Sequence, residues 1–274
     1  MAYRIALIPG DGIGREVVPE GVRALQELSR RFAFQVEFSE FPYSCRYYFE
    51  HGVMMPEDGI ERLRPFDAIL LGAVGLPEVP DHVSLWGLLI PIRRSFDQYV
   101  NMRPVRLLPG IRSPLAGRTA KDIDFVIVRE NTEGEYSQAG GRLYPGTERE
   151  VVIQESVFTR VGVDRIVRFA FELARRRGRK QLTSATKSNG IIHTMPFWDE
   201  RFRAVAADFP DIQTSQYHID ILTAHFVQHP DWFDVVVASN LFGDILSDLG
   251  PACAGGIGIA PSANLNPERK YPSM

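Results

Sequence analysis

The chain has 274 residues, 45% of them hydrophobic and 24% charged, with a net charge of −3. That length can bury one large core or two ordinary ones, and the near-neutral charge gives no global bias toward nucleic acid or anionic membrane. The two cysteines, Cys45 and Cys253, lie far apart with no CxxC spacing, which argues against a disulfide framework or a thiolate zinc site.

At the N-terminus the apolar run before Pro9 and Gly10 is too short for a signal peptide or a membrane span, so a cytoplasmic protein is the simplest reading. "YRIALIP" (3–9) reads as a buried strand, followed by a glycine turn and the helical pattern "REVVPEGVRALQELSRRF" (15–32). "FQVEFSEF" (34–41) alternates like a strand, "PEDGIERLR" (56–64) opens a short helix, and "FDAILLGAV" (66–74) is a second buried strand. Strand and helix thus alternate over the first hundred residues, which predicts a parallel sheet covered by helices. From about residue 100 the rhythm changes. "DFVIVREN" (124–131) and "EVVIQESVFT" (150–159) are strands around the Gly-rich hairpin region "SQAGGRLYPGTE". The helix "RVGVDRIVRFAFELARRRG" (160–178) puts Val163, Ile166, Val167, Ala170, Phe171 and Ala174 on one face. "FDVVVAS" (233–239) restores a buried strand, and 250–268 is loop-rich. Two domains follow: 1–98, then 99–249, with 250–274 returning to the first. The ending "NPERKYPSM" has neither a capping helix nor a polar tail, so a C-terminal part of the first domain is expected to be missing.

Several motifs have bland explanations. "PGDGIGRE" (9–16) lies between a strand and a helix, but Arg15 stands where GxGxxG needs its last glycine, so a tight turn explains it equally well. "RRRGRK" (175–180) reads as a solvated helix end, where cations suit the C-terminal dipole. His225 and His229 have the spacing of a helical metal pair but lack the HExxH glutamate, and a surface pair is the better reading.

Others point to chemistry. Arg93, Arg103 and Arg129 stand at element ends, where arginine can clamp a carboxylate bidentately, and together they suggest a small polycarboxylic acid. Lys187 of "TKSNG" follows a strand, where burial could turn a lysine into a base, although alone it reads as a solvated loop residue. In "VVVASNLFGDILSDLGP" (235–251), Asp244 and Asp248 share one helical face among apolar residues. Like charges one turn apart repel unless a cation lies between them, and hard oxygens suit Mg²⁺ or Mn²⁺. Spacing alone leaves a metal site and a pair of surface aspartates evenly matched, while the apolar neighbours favour the metal.

Taken together, "IPGDGIGRE", "IRRSFDQYVNMRPV", "VRENTEGEY", "TKSNG", "HIDILTAHFV" and "SNLFGDILSDLGP" resemble the metal-dependent, β-decarboxylating isocitrate/3-isopropylmalate dehydrogenase family, in order and along nearly the whole chain. Within it, "HVSLWGLLIPIRR", "VVIQESVFTR" and "IAPSANLNPER" are similar to the branch that oxidises tartrate and decarboxylates D-malate. The resemblance implies an α/β, isopropylmalate-dehydrogenase-like two-domain fold with a parallel-sheet core, which is not a true Rossmann fold. It implies a homodimer with shared active sites, NAD as cofactor, Mn²⁺ or Mg²⁺, and a monovalent cation such as K⁺. By resemblance, Arg93, Arg103 and Arg129 clamp the substrate, Tyr136 is the acid and Lys187 the base. Asp220, Asp244 and Asp248 are metal ligands, with Asp220 and the lysine crossing a dimer interface, and Asn189 and Ile13 lie at the cofactor. Trp86 stands seven positions ahead of Arg93, where isopropylmalate enzymes carry an acidic residue, so the indole should favour malate or tartrate over isopropylmalate. The alternatives are a 3-isopropylmalate dehydrogenase and, in another class, a non-catalytic dimerising relative or an inactive fragment.

Overall fold

The structure, a computed structural model, describes residues 2–268 and 270–274. The chain divides into two compact units, Met1–Gln98 with Asn264–Met274, and Tyr99–Ala263. The return to the first unit therefore falls at Asn264, not at residue 250. No helix among the described residues is long and apolar enough to cross a membrane.

In the first unit β1 (Ala2–Gly10), α1 (Gly14–Phe32), β2 (Gln35–Glu40), α2 (Cys45–His51), α3 (Gly59–Leu63) and β3 (Ala68–Ala73) follow one another. The helical stretch α4 (Asp81–Ser84) then runs through a wider turn into α5 (Ile90–Ser95). The strands form an all-parallel sheet in the order β2-β1-β3. Its core contains Ala6, Ile8, Ile69, Leu88, Ile92 and Phe96, each with less than 5% of its surface exposed. The glycine turn after β1 has a packing cause: a Cβ on Gly14 would stand 2.1 Å from the Pro9 carbonyl oxygen and 2.4 Å from the Ala73 nitrogen. The turn is also fixed by Asp11, whose buried carboxylate accepts the N–H groups of Cys45 (2.9 Å), Arg46 (3.3 Å) and Gly75 (3.2 Å).

The second unit contains β4 (Val100–Arg106), β5 (Asp124–Glu130), the hairpin β6 (Gly140–Leu143) and β7 (Val151–Gln154), and α6 (Arg160–Arg176). There follow β8 (Gln181–Thr186), α7 (Thr194–Ala206), β9 (Gln213–His218), α8 (Ile219–Gln228), β10 (Val235–Ala238) and α9 (Asn240–Cys253). Five strands of its sheet run in the order β4-β5-β10-β8-β9, parallel to one another except for β4, which is antiparallel to β5. A strand buried on both faces needs a continuous apolar run, and Val235, Val236, Val237 and Ala238 of β10 are fully buried. The six apolar residues expected on one face of α6 are all at 0% exposure. By contrast, every residue of the β6–β7 hairpin is exposed, Val152 to 61%.

Two local expectations gain detail. The basic run 175–180 is exposed except at Arg177, as a solvated helix end should be, and two of its arginines also reach across: Arg177 donates to Asp234 (2.6 Å) and Asp124 (3.0 Å), and Arg179 to the Phe233 carbonyl (2.8 Å). Those contacts tie the exit of α6 to the start of β5 and the lead-in to β10. Helix α9 continues through Pro251 to Cys253, into a segment that reads as loop.

Candidate active site

The strand β5 ends in Arg129 and Glu130, and α9 leaves the end of the neighbouring β10 and packs back over β5. Gly243 makes that approach possible, because a Cβ there would lie 2.5 Å from Cγ of Arg129. Arg129 is 4% exposed, and a guanidinium so buried needs acceptors for its N–H groups. Asn240 supplies them in the first turn of α9: its Oδ1 accepts from Nε (3.1 Å) and Nη2 (2.8 Å). Nη1 of Arg129 bonds Oδ1 of Asp244, and the other carboxylate oxygen accepts the Tyr136 hydroxyl at 2.6 Å. The guanidinium also lies 5.5 Å from the Tyr136 ring centroid. Burial first, and then the Asp244 carboxylate, push the Tyr136 phenol up to about 12.

The second aspartate of α9 faces β4. Nη2 of Arg103 approaches Asp248 at 3.4 Å, and Nε of Arg103 is buried without an acceptor among the described residues. Burial, reinforced by the nearby Arg129 charge, lowers the Arg103 pKa. Arg103 stands in the middle of β4 rather than at an element end. Asp248 is 58% exposed, because it points away from the apolar face that its neighbours Phe242 and Leu246 bury. The two carboxylates are thus answered by cations on neighbouring strands. They also offer hard oxygens one helical turn apart, the donor type that suits Mg²⁺ or Mn²⁺.

Lys187 follows β8 and donates to Oδ1 of Asp220, in the first turn of α8, at 2.6 Å. That hydrogen bond holds the Asp220 carboxyl below its usual range. The three aspartates predicted as metal ligands therefore fall into two groups, and no cluster of three His, Cys, Asp or Glu exists among the described residues. Asn189 is exposed in the turn after Lys187. Of the first-unit residues, Arg93 lies in the last turn of α5, and Trp86 is half-buried with the Arg94 guanidinium 5.1 Å from its ring centroid. Ile13 is 59% exposed, immediately before α1. His225 and His229 are not a plain surface pair: His229 stacks on Trp232 at 4.0 Å, and His225 packs edge-on to Tyr217 at 5.1 Å.

Sequence reasoning passed over three residues of the loop and helix that frame this cluster. Glu130 is 2% exposed and accepts the Thr132 N–H (2.9 Å), the Thr132 hydroxyl (2.8 Å) and the Glu133 N–H (2.9 Å), while burial lifts its carboxyl to about 7. Glu135 binds the start of α9, accepting the Ser239 hydroxyl at 2.7 Å and the Leu241 N–H at 3.0 Å. Asn240 is the third. Their signal was present in a charged residue closing the apolar strand "DFVIV" and in an asparagine opening the aspartate helix.

The profile of the isocitrate/isopropylmalate dehydrogenase family matches residues 4–272. The D-malate dehydrogenase [decarboxylating] of Escherichia coli (strain K12) is 66% identical over 273 residues, which is 99% of this chain and 76% of that protein. The tartrate dehydrogenase/decarboxylase of Pseudomonas putida is 62% identical over 276 residues, 100% of this chain and 76% of that one. The crystal structure of isocitrate dehydrogenase from Methylococcus capsulatus superimposes with a TM-score of 0.87 at 30% identity, covering 99% of this chain and 76% of that one. The chain belongs to the isocitrate/isopropylmalate dehydrogenase family.

Proposed function

We propose that this protein oxidises D-malate or tartrate at C2, with NAD as acceptor and Mn²⁺ or Mg²⁺ as metal, and decarboxylates the β-keto acid formed from D-malate. The observation that carries the reading is the Arg129–Asp244–Tyr136 cluster beside Arg103 and Asp248, which combines a carboxylate clamp, a proton donor and hard oxygen ligands. The likeness to relatives named for D-malate and tartrate supports the choice of substrate.

NAD⁺ would supply the hydride acceptor when bound, and a divalent cation held by Asp244 and Asp248 would supply Lewis acidity. The chain's own residues handle the acid and its protons. Arg93, Arg103 and Arg129 take the substrate carboxylates, and the buried Nε of Arg103 is suited to an incoming acceptor. Lys187, once deprotonated and freed from Asp220, accepts the C2 hydroxyl proton, directly or through water, as hydride leaves C2. When CO₂ departs, the electron pair of the broken C–C bond stays on the substrate, and Tyr136 delivers its phenolic proton to that carbon. A phenol held near 12 is fully protonated at neutral pH, as an acid must be. The adenosine-binding preference for NAD over NADP follows the likeness to the tartrate branch, and Ile13 and Asn189 are the proposed nicotinamide-side contacts. A monovalent cation such as K⁺ completes the proposed requirements.

A homodimer unites the two groups of aspartates if a second copy brings its Asp220 and Lys187 to Asp244 and Asp248. The exposed apolar hairpin, with Leu143, Val151, Val152 and Ile153 between 44% and 61% accessible, is the surface best suited to such pairing. The test is NADH formation with D-malate, L-tartrate and 3-isopropylmalate, with Mn²⁺ and with EDTA. Metal-dependent turnover of the first two is expected. Preference for isopropylmalate would overturn the substrate and the role given to Trp86, and turnover indifferent to EDTA would reduce Asp244 and Asp248 to ion-pair partners.

A further inference from the structure

Tyr136 sits on a loop, and loops place side chains loosely unless they are tied down. This loop is tied at several points. Gly134 exchanges both backbone hydrogen bonds with Val157 (2.8 and 2.9 Å), and the Glu133 carboxylate accepts from the backbone (3.0 Å) and hydroxyl (2.8 Å) of Thr159, the residue before α6. Further ties run to the helix that carries Asp244: the Asn240 amide donates to the Glu133 carbonyl at 2.9 Å, and Glu135 makes the others. Ser239 stands at the N-cap of α9, yet its hydroxyl caps nothing in its own helix. It donates instead to Glu135 Oε1, while Glu135 Oε2 takes the Leu241 N–H that a cap would ordinarily satisfy. A carboxylate one residue before Tyr136 is thereby locked to Ser239 and Leu241, five and three residues before Asp244. Its charge also suits the positive end of the helix.

From this geometry we propose that Glu135 is a positioning residue for proton delivery, fixing the Tyr136 hydroxyl against α9 by bridging Ser239 and Leu241. The proposal rests on the reading of Tyr136 as the acid. Glu135→Ala removes both acceptor oxygens, so the Ser239 hydroxyl and the Leu241 N–H lose this partner together. Ser239→Ala removes only the first tie and leaves the Leu241 bond in place.

Steady-state turnover of D-malate with Mn²⁺ and NAD is measured with C2-deuterated substrate and in D₂O. In Glu135→Ala, kcat falls about tenfold with KM for D-malate nearly unchanged. The solvent isotope effect on kcat rises, and the C2 deuterium effect shrinks, as proton delivery becomes limiting in place of hydride transfer. Ser239→Ala shifts both effects the same way by less, and carries the test if Glu135→Ala does not fold. A loss of kcat in both variants with wild-type isotope effects, or no loss at all, overturns the proposal and leaves Glu135 a helix cap. Tyr136→Phe separates the two levels. If it shifts the isotope effects while the Glu135 and Ser239 variants do not, the tyrosine keeps its role and Glu135 loses its own. If Tyr136→Phe shifts neither effect, the reading of Tyr136 fails and the proposal fails with it.

Discussion

Replacing Asn240 with alanine removes the oxygen that accepts two N–H groups of a guanidinium with 4% exposure. A hydrogen bond to a charged group contributes roughly 1.5–3 kcal/mol, and a buried donor left without a partner adds its own desolvation cost. The side-chain amide also donates to the Glu133 carbonyl at 2.9 Å, a neutral bond of about 1 kcal/mol. Arg129 keeps its Asp244 contact, and water reaches part of the opened space, so the expected net loss is about 2–4 kcal/mol. Against a total stability of roughly 5–15 kcal/mol, that is a large fraction. Urea denaturation of the metal-free protein at neutral pH measures it directly, as a lowered midpoint at unchanged slope. Asn240→Asp keeps acceptors for Arg129, now charged, but turns its other oxygen against the Glu133 carbonyl, so its loss should be smaller than alanine's though not negligible. A loss below about 1 kcal/mol in the alanine variant, or equal losses in the two, would refute the claim that Asn240 holds Arg129 in place.

Gly243→Ala puts a methyl 2.5 Å from Arg129 Cγ and 2.6 Å from its Cβ. Overpacking of about 1–3 kcal/mol outweighs the ~1 kcal/mol gained in helix propensity, and differential scanning calorimetry should show a Tm lower by a few degrees, with a raised KM as Arg129 is displaced. Glu130 is lifted by burial from 4.5 to about 7, so the folded state holds a proton that the unfolded chain has lost. Its contribution is complete below the ordinary glutamate pKa and is lost as pH rises through about 7, on the order of 3 kcal/mol in all. Denaturation between pH 5 and pH 8 should show that slope, and Glu130→Gln should lack it. For Tyr136, the raised phenol predicts one tyrosine that ionises near 12, later than the ordinary 10, in an ultraviolet absorbance titration. That late step should be absent from Tyr136→Phe, and the stability that accompanies the neutral phenol declines between the same two values.

Where burial follows from short-range periodicity, the fold was legible. The apolar stripe of α6 and the runs in β5 and β10 announced themselves, since each strand or helix face is written in consecutive residues. Strand β9, "QTSQYH", was not legible because it carries polar side chains in place of an alternating pattern, and α4 and α5 were hidden by Pro91 and by the wider turn between them. In the candidate site, the pairing of Asp244 with Asp248 on one face was visible from spacing alone. Their partners were not. Arg129 and Arg103 reach α9 from strands 115 and 145 residues earlier in the chain, and no local rule connects such distances. Asn240 and Glu135 escaped for the same reason, since their role lies in what they hold and not in chemistry of their own.

Asp11 illustrates how one side chain can set the size of a cooperative unit. Its carboxylate gathers amides from the start of α2 and from Gly75, the second residue beyond β3, while its own N–H donates to the Ala73 carbonyl at 2.6 Å. None of these segments can loosen alone without stranding a carboxylate that has 1% of its surface exposed. The amides of Cys45 and Gly75, though 30 positions apart, are therefore bound to exchange their hydrogens with solvent through a shared opening event rather than two independent ones.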